Sequence, residues 1–312
     1  VTAESDARPL GDPAPDYRDA EARLLGLTGL ERSDDRMIEV PGTDMRLHVI
    51  EIAGDDRIPV LLLHGMAAVT AAAIPLIPAF DGRRVIAPDW PGHGLSDAGT
   101  VPEFGLRDVP VPLLDAVLAD AGVDRAHLVG HSMGAQFALY YALERPEKVE
   151  SLTILGTPGV ALPGTRAPFS MRLMAFPGLA NFFTRPVSRA RYGRNSAMTL
   201  GKGTVDAWPT ELVDAGWLAS LRDEFRATAR RYYRNLGRPE LTLTAAELAR
   251  IEVPVHALWG TTDVFMDADE GRERLAGIPD LTFTEVRGGH APWLNAPLES
   301  TEAVREFFRE LP

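Results

Sequence analysis

Gly130-His131-Ser132-Met133-Gly134 places one hydroxyl between two glycines, with the apolar run Ala126–Val129 directly before it and a helix-like stretch, Ala135–Glu144, directly after. A serine at such a strand–turn–helix junction is held in a strained backbone geometry, and the glycines let strand and helix pack without colliding. Its Oγ is then pushed out at the carboxyl edge of a sheet, where ligands of open α/β folds bind. A hydroxyl is a weak nucleophile: it needs an adjacent base, and the base needs a third group to orient it. Among seven histidines, His290 follows the last strand-like run, in Arg287-Gly288-Gly289-His290-Ala291-Pro292, where the glycines suit a tight turn. Asp263 follows the preceding strand-like run, in Trp259-Gly260-Thr261-Thr262-Asp263. Asp267 and Asp269 compete for that place but read as the start of a helix, where acids cap or favour the dipole. The segment Gly156-Thr157-Pro158-Gly159, after another strand, contains no carboxylate. The chain order of the three groups is therefore Ser132, Asp263, His290.

The chemistry these residues would do is acyl transfer. Its tetrahedral intermediate carries negative charge on the former carbonyl oxygen, which preformed backbone N–H donors stabilise with little reorganisation. One donor is expected from the residue after the nucleophile, Met133. The other is expected from the loop His64-Gly65-Met66, at the Met66 amide. The side chains of Met66 and Met133 are expected to line an apolar acyl pocket. His64, Gly65 and His131 complete the expected substrate-binding set, His131 as a packing or hydrogen-bonding neighbour and not a second base.

The elements that must hold these groups are legible as alternating patterns. Strand-like runs are Met37–Val40, Arg46–Ile52, Pro59–Leu63, Arg84–Ala87, Ala126–Val129, Ser151–Leu155, Val253–Trp259 and Leu281–Val286. The first two, separated by Pro41-Gly42-Thr43-Asp44, read as an antiparallel hairpin. The unbroken apolar run ending at Leu63 reads as a strand covered on both faces. Helical patterns cover Asp16–Leu25, Val69–Ala79, Asp108–Ala121, Ala135–Glu144 and Leu298–Leu311. Strands alternating with helices predict an α/β fold: a mostly parallel, twisted sheet of about eight strands with helices on both faces. Residues 160–245 break the alternation with helical patterns rich in Phe, Met, Trp and Tyr, interrupted by Pro177, Pro186 and Pro209. They predict a helical lid inserted before the penultimate strand. The expected organisation is an N-terminal extension over 1–35, a core over 36–159 and 246–312, and the lid over 160–245.

Composition removes several function classes. The 312 residues contain no cysteine, so disulfides, thiol nucleophiles and cysteine-ligated metals are excluded. A net charge of −12 disfavours nucleic acid as a partner, because phosphate binding needs a cationic face. No apolar stretch is long enough for a membrane span, and the acidic start Val1–Asp6 is unlike a signal peptide, so a cytoplasmic protein is the expectation. The histidines are too dispersed for a metal site, and Gly201-Lys202-Gly203 lacks the residues of a phosphate loop. No cofactor is expected. The oligomeric state, monomer or dimer, is left open by the sequence. The lid holds thirteen basic residues against six acidic ones, a net of +7, which leaves −19 for the rest of the chain. That asymmetry predicts a basic lid docked electrostatically on an acidic body; a second reading gives one or two lid arginines a substrate carboxylate to hold.

Five segments together resemble the α/β-hydrolase superfamily in its lidded, single-domain form: His64-Gly65, Ala87-Pro88-Asp89-Trp90-Pro91-Gly92-His93-Gly94-Leu95-Ser96-Asp97, Gly130–Gly134, Trp259–Asp263 and Gly288–His290. They span nearly the whole chain after residue 36. The Pro91–Asp97 segment resembles the family's structural turn after the fourth strand and is given no catalytic role. Dehalogenases and epoxide hydrolases of the superfamily put a carboxylate where this chain has Ser132. Members that cleave carbon–carbon bonds in aromatic-ring degradation use serine, often with Asn where this chain has His131. The resemblance implies a cofactor-free serine hydrolase, acting on carboxylic esters of small to medium apolar acyl groups. The alternatives are a carbon–carbon bond hydrolase, lactonase or perhydrolase, or a non-catalytic ligand receptor on the same fold.

Overall fold

The computed structural model describes residues 12–100, 105–201 and 208–312; the acidic start Val1–Asp6 and Lys202 lie outside the described residues. Eight strands form one sheet: β1 (Asp34–Glu39), β2 (Arg46–Ile52), β3 (Asp55–Leu63), β4 (Arg83–Pro88), β5 (Ala126–His131), β6 (Val149–Leu155), β7 (Val255–Gly260) and β8 (Leu281–Val286). Their spatial order is β1-β2-β4-β3-β5-β6-β7-β8. The β1–β2 hairpin is antiparallel, β2 runs antiparallel to β4, and the other neighbours are parallel. Successive residues of the central strands face opposite ways. Leu61, Leu63, Ile86 and Leu128 enter one apolar core, whereas Val60, Leu62, Val85, Ala87 and Val129 enter the other. Burial on both faces is why these strands read as continuous apolar runs and not as alternations.

The first core is closed by α2 (Pro110–Asp120), α3 (Met133–Glu144) and α10 (Ala268–Leu275). The second is closed by α1 (Ala14–Leu27), α11 (Pro297–Arg309) and the segment Thr70–Phe80. That last segment was expected as an α-helix and is a 3₁₀ helix. Pro75 and Pro78 inside it supply no N–H for an α-helical ladder, which favours the tighter i→i+3 winding. Asp267 caps α10, accepting the Glu270 N–H at 2.9 Å, as its position at a helix start predicted.

Between β6 and β7 the chain leaves the sheet and forms α4 (Phe169–Met174), α5 (Pro177–Phe183), α6 (Arg189–Leu200), α7 (Thr210–Ser220), α8 (Asp223–Tyr233) and α9 (Ala245–Leu248). Its attachment differs from the charge-driven docking expected. Described ion pairs of its arginines lie largely inside the insertion, as in Arg189–Asp214, Arg226–Asp223 and Arg238–Glu240. Arg166 reaches Glu270 of the body at 3.6 Å. The larger seam is apolar: Leu212, Val213 and Trp217 of α7 share a core with Tyr17, Ala20 and Leu24 of α1. Exposed ion pairs contribute little, while apolar area removed from water contributes in proportion to its extent. Among the described residues, no helix is long and apolar enough to cross a membrane.

One buried polar cluster ties α1 to the sheet. His48 of β2 lies between two carboxylates, with Nδ1 2.9 Å from Asp89 and Nε2 3.0 Å from Asp35. Both nitrogens face acceptors, so the ring is held as imidazolium. Asp89, immediately after β4, also accepts the N–H groups of Thr70 and Leu95. Glu21 of α1, fully buried, accepts from Tyr17 at 3.1 Å and meets Arg32 at 3.3 Å. Burial, with the Asp89 charge nearby, pushes the Glu21 carboxyl up to about 7. Burial opposes charge on His48, but the hydrogen bonds to Asp35 and Asp89 raise it to about 9.

A histidine raised on folding contributes stability in full below its unfolded value of about 6.5, and that contribution is lost as pH rises through the folded value. We therefore expect the thermal midpoint to fall between pH 7 and the His48 value of about 9. His48→Gln should be less stable at neutral pH, by about 3 kcal/mol for a broken buried pair, and should show a flatter profile over that window. Parallel profiles for the two proteins in calorimetry would contradict the assignment.

Candidate active site

The site forms where the strand order departs in two directions from β3, a switch point at the carboxyl edge of the sheet. β3 and β5 are paired there, Leu63 opposite Gly130. The loops that follow them, His64–Met66 and His131–Met133, therefore leave the sheet side by side. Ser132 sits at the apex of the second loop with φ 52° and ψ −117°, left-handed backbone in a non-glycine residue. Such a conformation costs about 1–3 kcal/mol and persists only where its surroundings impose it. Here the imposition is close approach. A Cβ on Gly134 would lie 2.2 Å from the Leu63 carbonyl oxygen, and one on Gly130 would lie 2.5 Å from the Ala135 nitrogen. Only hydrogen fits at either position, and the turn between them is forced to be sharp.

Asp263 and His290, on the loops after β7 and β8, meet at 2.8 Å between Oδ2 and Nδ1. Asp263 is buried, and three further donors reach it: the Thr157 N–H and hydroxyl, each at 2.9 Å, and the Phe265 N–H at 2.9 Å. Burial works against its charge, but the His290 ring and these N–H groups hold its carboxyl below the usual range. An ionised carboxylate accepts only, so the proton between the two residues sits on His290 Nδ1. The other nitrogen, Nε2, is left with a lone pair when the ring is neutral. That nitrogen is buried and has no hydrogen-bond partner, on a residue that lines the same cavity as Ser132. Asp263 and His290 are thus in contact, whereas Ser132 and His290 share the cavity without a hydrogen bond between them. Phe265 packs against the His290 ring, with centroids 4.3 Å apart.

The expected oxyanion donors are both at this junction. Met133 is the first residue of α3, so its N–H precedes the helix's own bonding pattern. Met66 lies on the loop after β3, and both methionine side chains line the cavity. Gly65 brings the two loops together: a Cβ there would be 2.9 Å from His131 Nδ1 and 3.2 Å from Ser132 Cβ.

His64 and Gly65 were expected to touch substrate and do not line the cavity. The His64 ring is buried behind the loop, its Nε2 accepting the Trp90 N–H at 2.9 Å and its Nδ1 donating to the Gly65 carbonyl at 2.8 Å. Burial lowers its basicity, and the ring acts as a neutral strut between two turns. His131 does line the cavity, and its Nε2 donates to the His290 carbonyl at 3.1 Å. Burial and the adjacent His290 ring push it well below the usual histidine range, so it holds the backbone of His290 and does not act as a base. Thr157 is not among the residues the sequence singles out, because Gly156–Gly159 offers no carboxylate. A hydroxyl and an N–H at the end of β6, beside the strand preceding Asp263, were the available signal.

The cavity has a volume of about 880 Å³ and a mainly apolar wall. Its floor includes Met66, Met133 and Phe265, and its outer wall comes from the insertion, with Met171, Phe182 and Trp208 among the contributors. Arg185, Arg191 and Arg226 also reach it. Among the described residues, no group of three His, Asp or Glu side chains is placed to hold a metal ion.

The sequence profile of the alpha/beta hydrolase fold family matches residues 58–297. The chain belongs to that family. It is similar to a 2-hydroxy-6-oxononadienedioate/2-hydroxy-6-oxononatrienedioate hydrolase of Paraburkholderia phymatum, 30% identical over 275 residues, covering 82% of this chain and 88% of that one. It is also similar to the magnesium-chelatase 30 kDa subunit of Rhodobacter capsulatus, 30% identical over 254 residues, covering 78% and 84%. Among solved structures, a carboxylesterase of Bacillus subtilis superposes with a TM-score of 0.70 at 21% identity, covering 96% of this chain and 98% of that one. The 2-hydroxy-6-oxo-6-phenylhexa-2,4-dienoate hydrolase of Rhodococcus sp. strain RHA1 gives 0.73 at 21% identity, covering 90% and 99%. These likenesses establish the fold.

Thr157→Val removes one donor to Asp263 while keeping shape. A hydrogen bond to a charged group contributes about 1.5 kcal/mol or more, so kcat should fall about tenfold, with KM within about twofold and Thr157→Ser restoring the rate. Steady-state kinetics on a substrate that the wild type turns over checks this; an unchanged kcat in the valine variant would remove Thr157 as a positioning residue.

Proposed function

We propose that the protein is a serine hydrolase of carboxylic esters with medium-sized apolar acyl groups. The observation that carries this reading is His290 Nε2: a buried nitrogen, unpartnered, on a ring whose other nitrogen is bound to an ionised carboxylate, facing a cavity shared with a strained serine. In this reading Ser132 Oγ attacks the ester carbonyl as its proton passes to Nε2. Asp263 remains ionised and stabilises the imidazolium that forms. The Met66 and Met133 amides receive the oxyanion. The imidazolium protonates the leaving alkoxide, an acyl-enzyme results, and water activated by Nε2 releases the acid. The largely apolar wall supports an apolar acyl group, and 880 Å³ accommodates more than an acetyl ester.

Carbon–carbon bond hydrolysis is the second reading, favoured by the named activity of the Paraburkholderia relative and by the arginines at the cavity. There a lid arginine would hold a substrate carboxylate. His131, where members with that activity often have Asn, weighs against it.

A graded series of p-nitrophenyl esters separates these possibilities when run with wild type, Ser132→Ala and a fluorophosphonate label. We expect wild-type turnover that rises with acyl length before declining. In Ser132→Ala, labelling should vanish and kcat should fall by about 10⁴-fold or more. Unchanged turnover in the alanine variant would end the serine mechanism. Strong labelling with no ester turnover would favour the second reading, and so would activity on anionic but not neutral substrates that salt suppresses.

A further inference from the structure

Glu150 and Asp206 are consecutive acidic residues of this chain, and six arginines from Arg166 to Arg194 lie between them with no acid interspersed. In a chain of net charge −12 this is a segregated cationic stretch. The same stretch carries Phe169, Phe176, Leu179, Phe182, Phe183 and Met198, each between 43% and 73% exposed. Elsewhere among the described residues, large exposed apolar side chains occur singly, at Leu27, Met37 and Leu298. Isolated exposures of that kind are ordinary, whereas a concentration in one part of the fold marks an interaction surface; here α4 and α5, which carry most of these side chains, pack on each other.

The patch is also the rim of the cavity. Phe182, Phe183 and Met198 are both exposed and part of the wall around Ser132. Arg185 stands over the Phe182 ring, 4.9 Å from its centroid, which puts a guanidinium beside an apolar surface at the mouth. Arg172 of α4, which packs against α5, and Arg194 of α6 are also exposed.

We propose that this face of the insertion seats on an anionic lipid surface, so that the cavity mouth opens toward the acyl layer. Apolar side chains can enter the headgroup boundary while arginines on flexible stems keep their charges at the phosphates. Anionic lipid attracts each cationic side chain held near its surface. The remainder of the molecule, strongly acidic, is repelled by the same surface, and the opposed fields orient the protein with its mouth inward. A second copy of the chain fits this face less well, because a two-fold contact would place cationic patch on cationic patch. The proposal concerns the surface alone and does not depend on the chemistry assigned to Ser132.

The test uses the full chain carrying Ser132→Ala, co-sedimented with vesicles of phosphatidylcholine containing about one-third phosphatidylglycerol, or none. Binding should be about tenfold stronger on the anionic vesicles and weaken at high salt. F176S/L179S and R172E/R194E alter residues outside the cavity wall. Each pair should lower vesicle binding about tenfold while leaving the thermal midpoint unchanged. Equal binding to both vesicle types, no binding to either, or binding indifferent to both variant pairs would overturn the proposal. So would concentration-dependent self-association abolished by the same variants without vesicle binding, which would assign the face to a second copy.

Discussion

The Leu63 carbonyl oxygen occupies space that any side chain at residue 134 would need, and that contact governs the geometry around it. Because α3 presses this closely on the end of β3, the turn from β5 into α3 has no room to relax. Ser132 is therefore carried in left-handed backbone. The same closeness sets two peptide edges, at Met66 and Met133, on one rim. Strain at the serine is sustained by packing on both sides of the sheet: the apolar cores fix β3 and β5 as neighbours in register, and the glycines let the helix follow.

Charge below the rim is held in two places. One is the His48–Asp89–Asp35 group, where a cation lies between two anions. The other is Asp263 with His290, where one nitrogen is saturated and the other is not. His64 and His131 are both neutral; His64 spends both ring nitrogens on backbone groups, and His131 spends Nε2 on one. Four histidines therefore have different tasks, and what separates them is the identity of the partner on each nitrogen. Burial alone does not sort them, because all four are nearly inaccessible to solvent.

Much of the sheet was legible in the sequence because burial on both faces leaves continuous apolar runs. Pro59–Leu63 and Ala126–Val129 are runs of this kind, and both lie within observed strands. Ser132, Asp263 and His290 were legible as groups at strand ends, since turn residues mark those ends. Less legible was whatever depends on contacts between distant segments. His64 looked like a site residue from its place in the chain, and only the Trp90 backbone reveals that its ring is turned away. Thr157 carries no signature of its own, since hydroxyls in turns are common. The insertion's charge excess was correctly counted and wrongly interpreted, because composition does not show that arginines such as Arg189 and Arg226 find acids within the insertion.

The insertion leaves from the end of β6 and returns to the start of β7, and these strands are hydrogen-bonded neighbours. Its two attachment points are fixed by the sheet and not by anything the intervening helices do. Lengthening or replacing a connection between fixed ends has a cost that grows only slowly with its length. Evolution could therefore redraw the outer wall of the chamber, piece by piece, without shifting the register of a single strand below it. The scaffold behaves as a socket, and what the molecule admits can diverge faster than the machinery onto which it opens.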